Sequence, residues 1–520
     1  MYQFSGKIKT FSLALIILGL VATGWSFYSG LSTTEADAKA ALLAEQNDGH
    51  HGGGHGNATA EGHDNEKKEG HETETHVVQG HDAKKDDHAT EDEHKEVEHD
   101  STSVVVGGHA TNKEDHKTET SVVVGGHANN DHHDAVHSEK EQIAHKLHQM
   151  HNRPWSALYV SLLFFLGISL LVLAFYAAQR VAQSGWSVVL FRVMEAITAN
   201  LVPTSIIMLV FIILAGMHYS HLFVWMDPEV RATDTIIQGK ALWLNIPGWM
   251  IRGIIYLLGW NFYRYWIRKN SIAEDTATTI KIFKRNYNAS VIFLVFFMLT
   301  ESMAAWDWIM GLDPHWFSTL FGWYVLATLL VSAVTTIAFV TMYLRSKGYL
   351  PHVNDSHIHD LAKFMFGFSV FWTYLFFAQF MLIWYANIPE EGTYFVLRFS
   401  EYKTLFFTML AMNFIFPILI LLNSDFKSRP WFVYIGGILI LIGHYVDLFV
   451  MIMPGTVGAS WSFGIPEIGA ALLFTGIFIY TVFSAFAKAD PLAKGNPFLK
   501  ESQHFHYYNI EHHSGDDNHH

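Results

Sequence analysis

The side chains able to accept, hold or pass protons in an apolar environment are few in this 520-residue chain, and they are unevenly placed. Glu301 and Asp307 lie in one apolar stretch, 289–311, and Asp313 and His315 close it in the run Trp306-Asp307-Trp308-Ile309-Met310-Gly311-Leu312-Asp313-Pro314-His315-Trp316. At 1.5 Å per residue Glu301 falls about 18 Å along that stretch, just past the centre of a bilayer, and Asp307 lies beyond it. His444 and Asp447 are three residues apart and so share one helical face. Arg252 interrupts the stretch 242–264, Glu195 stands near the start of 194–216, and His218 and His221 follow its end ahead of Asp227. Glu467 begins the stretch 467–487. Ionisable groups are costly in hydrocarbon, so each is by default a candidate for function or for helix pairing. Carboxylate and imidazole are the usual acceptors where a redox reaction releases protons.

Each of these residues also has a plainer reading. Arg252 could neutralise Glu301 or Asp307 in a structural pair across two helices. His444 and Asp447 could be a proton-transfer pair or a satisfied polar pair. His218, His221 and His315 lie near the expected membrane surface, where they face headgroups or a partner, or else ligate. The hydroxyl and amide groups of Asn200, Thr204, Ser205, Ser332, Thr335 and Thr336 could carry protons with water between them, or act as helix-packing contacts. Haem b is not expected, because bis-histidine ligation needs two imidazoles at matching depth and only His444 is well inside. Trp225, Trp243, Trp249, Trp306, Trp316, Trp323 and Trp461 suit interfacial belts.

The elements that must position these groups follow from apolar runs. About 20 apolar residues span a bilayer, and ten runs approach that length: 10–28, 156–179, 194–216, 242–264, 289–311, 319–343, 363–386, 403–422, 431–453 and 467–487. The expected fold is therefore an all-α integral membrane protein of about ten transmembrane helices. The first run follows Lys7 and Lys9, and we read residues 1–30 as a retained anchor helix in preference to a signal peptide. Lys and Arg then gather in loops on one side, including Arg180, Arg192, Arg264, Arg268, Lys281, Arg345 and Lys427, with few on the other, chiefly Arg231, Lys240, Arg398 and Lys403. Positive charge marks the cytoplasmic side, so both termini, with a tail at 491–520, are expected there.

Residues 31–153 form a polar segment, crowded with histidine, that is then expected in the periplasm. It carries most of the net charge of −14 and an internal repeat, Thr102 to Ala110 returning at Thr120 to Ala128. Its low apolar content predicts a largely disordered segment. Two readings stand for its histidines, metal capture and a solvated tether with weak metal affinity. The chain has no cysteine, which excludes disulfides, thiolate-bound iron–sulfur clusters, Cys-ligated zinc and covalently attached haem c within it. Nothing in the charge distribution points to nucleic acid.

The Trp306-to-Trp316 run, its continuation Phe317-Ser318-Thr319-Leu320-Phe321-Gly322-Trp323-Tyr324, the run Lys363-Phe364-Met365-Phe366-Gly367-Phe368, and the run from Gln379 to Pro389 carry a family resemblance. Across about 155–490 the chain resembles the second NrfD-like membrane subunit of bacterial alternative complex III, a quinol:cytochrome c or quinol:oxidase electron-transfer assembly. The resemblance implies an NrfD-like multi-helix domain over 154–490, built as a pair of four-helix bundles with peripheral helices, in the bacterial inner membrane. It implies a sister NrfD-like subunit, a periplasmic iron–sulfur protein, cytochrome c subunits and a terminal oxidase as partners. Haem c and iron–sulfur clusters would sit on those partners, and the chain itself would offer a quinone or menaquinone site, a proton path or a scaffold. Glu301, Asp307, Asp313, His444 and Asp447 are then the leading proton-handling or quinone-lining candidates, with Arg252, His218, His221 and Glu195 beside them. The rival expectation is a secondary transporter of divalent metal ions, although no matched pair of broken helices is evident.

Overall fold

Inside hydrocarbon a backbone can satisfy its N–H and C=O groups only within itself, so a long apolar run has little choice but helix. The computed structural model describes residues 2–51 and 130–507, and among these residues there are helices and no strands. Among the described residues nine helical segments are long and apolar enough to cross a membrane, which makes the chain a multi-pass membrane protein, all-α throughout those residues. In chain order, with two further helices, the elements are α1 (Gly6–Leu31), α2 (Gln142–Val181), α3 (Gly185–Gly216), α4 (Ile246–Glu274), α5 (Lys281–Leu312), α6 (Phe321–Ser346), α7 (Asp355–Ala386), α8 (Pro389–Ser400), α9 (Lys403–Leu421), α10 (Pro430–Val457) and α11 (Ile465–Phe486). Helices α4 and α8 stand outside the nine. Helix α4 occupies the expected run 242–264 but extends to Glu274 and carries Arg252, Arg264, Arg268 and Lys269.

The chain divides into two units, residues 1–44 with 139–520, and residues 45–138. Residues 52–129, the bulk of the histidine-rich segment, lie outside the described residues. The described flanks of the segment expected to lack order are helical, as Glu35–His51 and as an extension of α2 back to Asn130. Polar contacts tie down the edges of the segment beside the apolar helices. His151 Nε2 meets the Thr33 carbonyl at 3.2 Å, Ser460 donates to Gln149 at 2.8 Å, and Asn152 donates to the His221 carbonyl at 3.2 Å. Composition carries no signal of such contacts.

Helix α2 runs through the centre of the larger unit. Its Tyr159 donates to the Trp308 carbonyl of α5 at 2.8 Å, Ser156 donates to Thr456 of α10 at 2.8 Å, and Tyr176 donates to Glu195 of α3 at 2.8 Å. Around it α3 packs on α4, α4 on α5, α5 on α6, α6 on both α7 and α10, and α9 on α7 and α10. Helix α1 lies along α11 through small residues, the usual basis of close helix contact in lipid. A Cβ on Gly19 would stand 2.4 Å from the Leu473 backbone nitrogen, and one on Gly469 would stand 2.7 Å from the Ala22 Cβ.

Two prolines shape the second half of the chain. Pro417 lacks an N–H and its ring crowds the carbonyl four residues earlier, and α9 relieves this with a π turn at Ala411–Ile415. Pro454 lies inside α10 and leaves the Val450 carbonyl without its helical donor. Arg398 of α8 fills that role, its Nε donating to Val450 at 3.1 Å.

Candidate functional site

Asp307 sits on the last turns of α5, fully buried, facing α4. Arg252 grips it with both ends of its guanidinium, Nε to Oδ2 at 2.8 Å and Nη2 to Oδ1 at 2.7 Å. Tyr256, one turn along α4, donates to Oδ2 at 3.1 Å, and Trp249 donates to the Asp307 carbonyl at 3.0 Å. Residues 249, 252 and 256 share a helical face, so α4 presents a single polar stripe to one carboxylate. Of the two partners open to Arg252, the structure thus selects Asp307. Arg252 also stacks its cation over Trp243, 4.2 Å from the ring centre, and this indole forms one wall of a cleft.

That cleft has a volume of about 340 Å³ and is lined by Lys240, Trp243, Trp306, Met310, Pro314 and Trp316 among others. Its size and aromatic walls suit a flat, largely apolar ligand. Lys240 donates to the Pro314 carbonyl at 2.6 Å, and burial pushes its ammonium below the ordinary range while Asp313 and Asp234 oppose that shift.

Asp447, equally buried, is held by neutral donors. Tyr324 hydrogen-bonds to Oδ1, Thr328 donates to Oδ2 at 2.8 Å, and Trp372 Nε1 donates to Oδ2 at 2.9 Å. His444 Nδ1 stands 3.7 Å from Oδ2, and neither of its ring nitrogens makes a hydrogen bond. The pair therefore shares a face, as the spacing requires, but the imidazole is no orienting partner of the carboxylate. Cross-helix donors from α6 and α7 take that role, and the i,i+3 spacing gave no sign of them.

Glu301 has neither kind of partner. Both its oxygens are buried without a hydrogen bond. The carboxyl borders a cavity of about 40 Å³ among Leu163, Leu170, Trp260, Trp308, Leu329 and Leu448, room for about two or three waters.

Glu195 belongs to a buried ionic network where α2, α3, α4 and α5 meet. Its Oε2 pairs with Arg192 at 2.8 Å and with Arg268, while Oε1 accepts from Tyr176 at 2.8 Å and Ser271 at 2.5 Å. Arg180 pairs with Glu274 at 3.1 Å, and Arg192 reaches Asp275. Asn286 of α5 closes the set on Glu274 at 2.8 Å. Three arginines thus meet three carboxylates.

The remaining candidates lie at the opposite end of the helices, most of them in loops. His218 is exposed and adopts a positive φ of 62°, and His221 lies 5.6 Å from the His148 ring. Asp227 caps the short helix that follows it, and Glu467 accepts two hydrogen bonds from Arg153, at 3.0 and 3.1 Å. Asp313 is half-buried beside Lys240. His315 pairs with Asp234 at 2.5 Å. Backbone N–H bonds from the helix Thr235–Gly239, above all that of Ile237, then His315, hold the Asp234 carboxyl below its ordinary range. A depressed carboxylate stabilises the fold above its unfolded value and loses that contribution as the pH falls through its folded value. Backbone hydrogen exchange over 234–241, corrected for intrinsic rate, is therefore expected to rise below about pH 4 and to lose this dependence in Asp234→Asn. A wild-type profile flat to pH 2 would remove the cap from the account.

Thr204, Ser332, Thr335 and Thr336 each donate to the carbonyl four residues earlier in their own helix at 2.7 to 2.9 Å, and Asn261 of α4 donates across to Ser205 of α3 at 2.7 Å. The belt reading fails for Trp225, Trp249 and Trp316, which are buried among other rings, Trp316 stacking on Tyr394 at 4.2 Å. Among the described residues no group of three His, Asp or Glu side chains is placed to hold a metal ion. Compared with known protein families the chain matches none, and no curated protein matches its sequence.

Proposed function

We propose that the chain is a membrane subunit of a quinol-oxidising respiratory assembly of the alternative complex III type, seated in the bacterial inner membrane. In this reading α4 is a tenth span, the helices form two four-helix bundles with peripheral helices, both termini are cytoplasmic, and the histidine-rich segment is periplasmic. One observation carries the reading. Two of the sequence runs that resemble this family contribute residues to the two carboxylate sites. The run 306–324 contributes Asp307, Trp306 and Trp316 of the cleft, and Tyr324 on Asp447. The run that begins at Gln379 contributes Gln379 itself to the cavity beside the same Asp447.

The division of labour follows from composition and geometry. A chain without cysteine has no thiolate to hold an iron–sulfur cluster or a covalent haem, so electrons pass through partner subunits. The cleft beside Trp243 is where a quinone ring would lie, against aromatic walls and next to the Arg252–Asp307 pair. Asp447 is held by three neutral donors with no cation bonded to it, whereas Asp307 is locked to Arg252.

Gentle detergent purification of the tagged chain, followed by a visible spectrum and peptide identification, tests the assembly. Haem c absorbance together with iron–sulfur and sister membrane subunits is the expected result. A colourless protein alone that carries zinc or copper into vesicles would replace the reading with transport. Within the assembly, Asp447→Asn keeps one acceptor oxygen for its donors and is expected to leave assembly intact. Its proton-coupled quinol oxidation should fall by about 100-fold, the loss typical of a positioned acid–base group. Unchanged turnover and proton release would relegate Asp447 to structure.

A further inference from the structure

Gln379 of α7, Arg398 of α8 and Asp447 of α10 come together around one small cavity of about 10 Å³, which Tyr324, Phe376 and Tyr394 also line. All three polar side chains are at most 4% exposed. Their hydrogen-bond inventories leave complementary gaps. Gln379 Oε1 is buried and accepts nothing. The Asp447 carboxylate has about four acceptor directions, of which Tyr324, Thr328 and Trp372 occupy three. The Arg398 guanidinium has five N–H groups, of which three go to the carbonyls of Val450, Tyr394 and Met451, at 3.1, 2.7 and 3.3 Å. Two acceptors therefore lack a donor, and one cation has donors to spare.

A single water molecule fits this arrangement in number, size and charge. It donates two hydrogen bonds and accepts others, and a buried water needs about 10–15 Å³ with two to four polar partners. An ion does not fit. A cation would lie against the Arg398 guanidinium and an anion against Asp447, and like charges in a dry interior repel strongly. We propose that the cavity binds one ordered water, which donates to Gln379 Oε1 and to Asp447 and accepts from Arg398. The water joins a buried cation to a buried carboxylate through a neutral bridge. It also ties Asp447 to α8, where Tyr394 stacks on Trp316 of the aromatic cleft. This inference rests on the described geometry and does not depend on the proposed respiratory role.

The test is an electron cryo-microscopy map of the intact chain, in its native assembly or in lipid nanodiscs, at a resolution that shows ordered water. The expected result is a peak within hydrogen-bond distance of Gln379 Oε1 and an Asp447 oxygen, lost in Gln379→Met, which keeps the volume and removes the acceptor. Should Gln379→Met fail to fold, the wild-type map decides alone. A wild-type cavity without the peak, with Gln379 turned to donate directly to Asp447, overturns the proposal. So does a peak that survives Gln379→Met unchanged, or one that intensifies when bromide or rubidium replaces chloride or sodium.

Discussion

Arg252→Leu is expected to destabilise the protein by about 3–5 kcal/mol, the cost of leaving one member of a buried ion pair without the other. The Asp307 carboxylate is fully buried and takes both bonds of the guanidinium, and without them no cation would be bonded to it, Tyr256 remaining as a neutral donor. The leucine also forfeits the stacking of the cation on Trp243. The charge argument makes a second, sharper claim. Removing both charges in Arg252→Leu/Asp307→Leu should recover most of the loss, because a buried pair replaced by apolar groups of similar volume is often near neutral. Thermal unfolding followed by tryptophan fluorescence in one detergent measures all three proteins. A single variant that melts with the wild type, or a double variant that melts below the single, would show that the pair does not hold α4 to α5 in this way.

The same residues show how far the sequence could be read. Apolar run length located every membrane helix to within a few residues at most ends, because hydrocarbon leaves the backbone no alternative to helix. Run length gives the depth of a residue but neither the rotation of its helix nor the register of its neighbour. Arg252 could for that reason be paired with Glu301 or Asp307, and only the packing of α4 on α5 selects Asp307. Arg398 counted as a loop charge, yet it is buried because Pro454, far along the chain, frees the Val450 carbonyl. Trp372 and Tyr324, the donors that define Asp447, looked like two more aromatics in aromatic-rich runs. Helix ends were least legible where charge intervenes, as in α4, whose arginines carry it past the expected boundary into the ionic network around Glu195.

That network supports the largest effect of all. Arg180, Arg192 and Arg268 balance Glu195, Glu274 and Asp275 among atoms largely cut off from water. Arg252 is 17% exposed and can turn partly toward solvent, whereas Arg192 is 1% exposed and cannot. Glu195→Gln keeps an acceptor for Tyr176 and Ser271 but removes the charge that two arginines share. The expected loss is about 5 kcal/mol, the upper end for a broken buried pair, seen as little folded protein in size-exclusion chromatography. If charge balance is the cause, Glu195→Gln/Arg268→Gln should restore folded yield, because it removes one charge of each sign from the network. Arg268 is the arginine to remove, being 16% exposed and bonded to Glu195. Recovery by Arg268→Gln would identify electrostatics as what fixes the meeting point of α2, α3, α4 and α5. A double variant as poorly folded as the single would instead assign that role to the shape of Glu195 and its bonds to Tyr176 and Ser271.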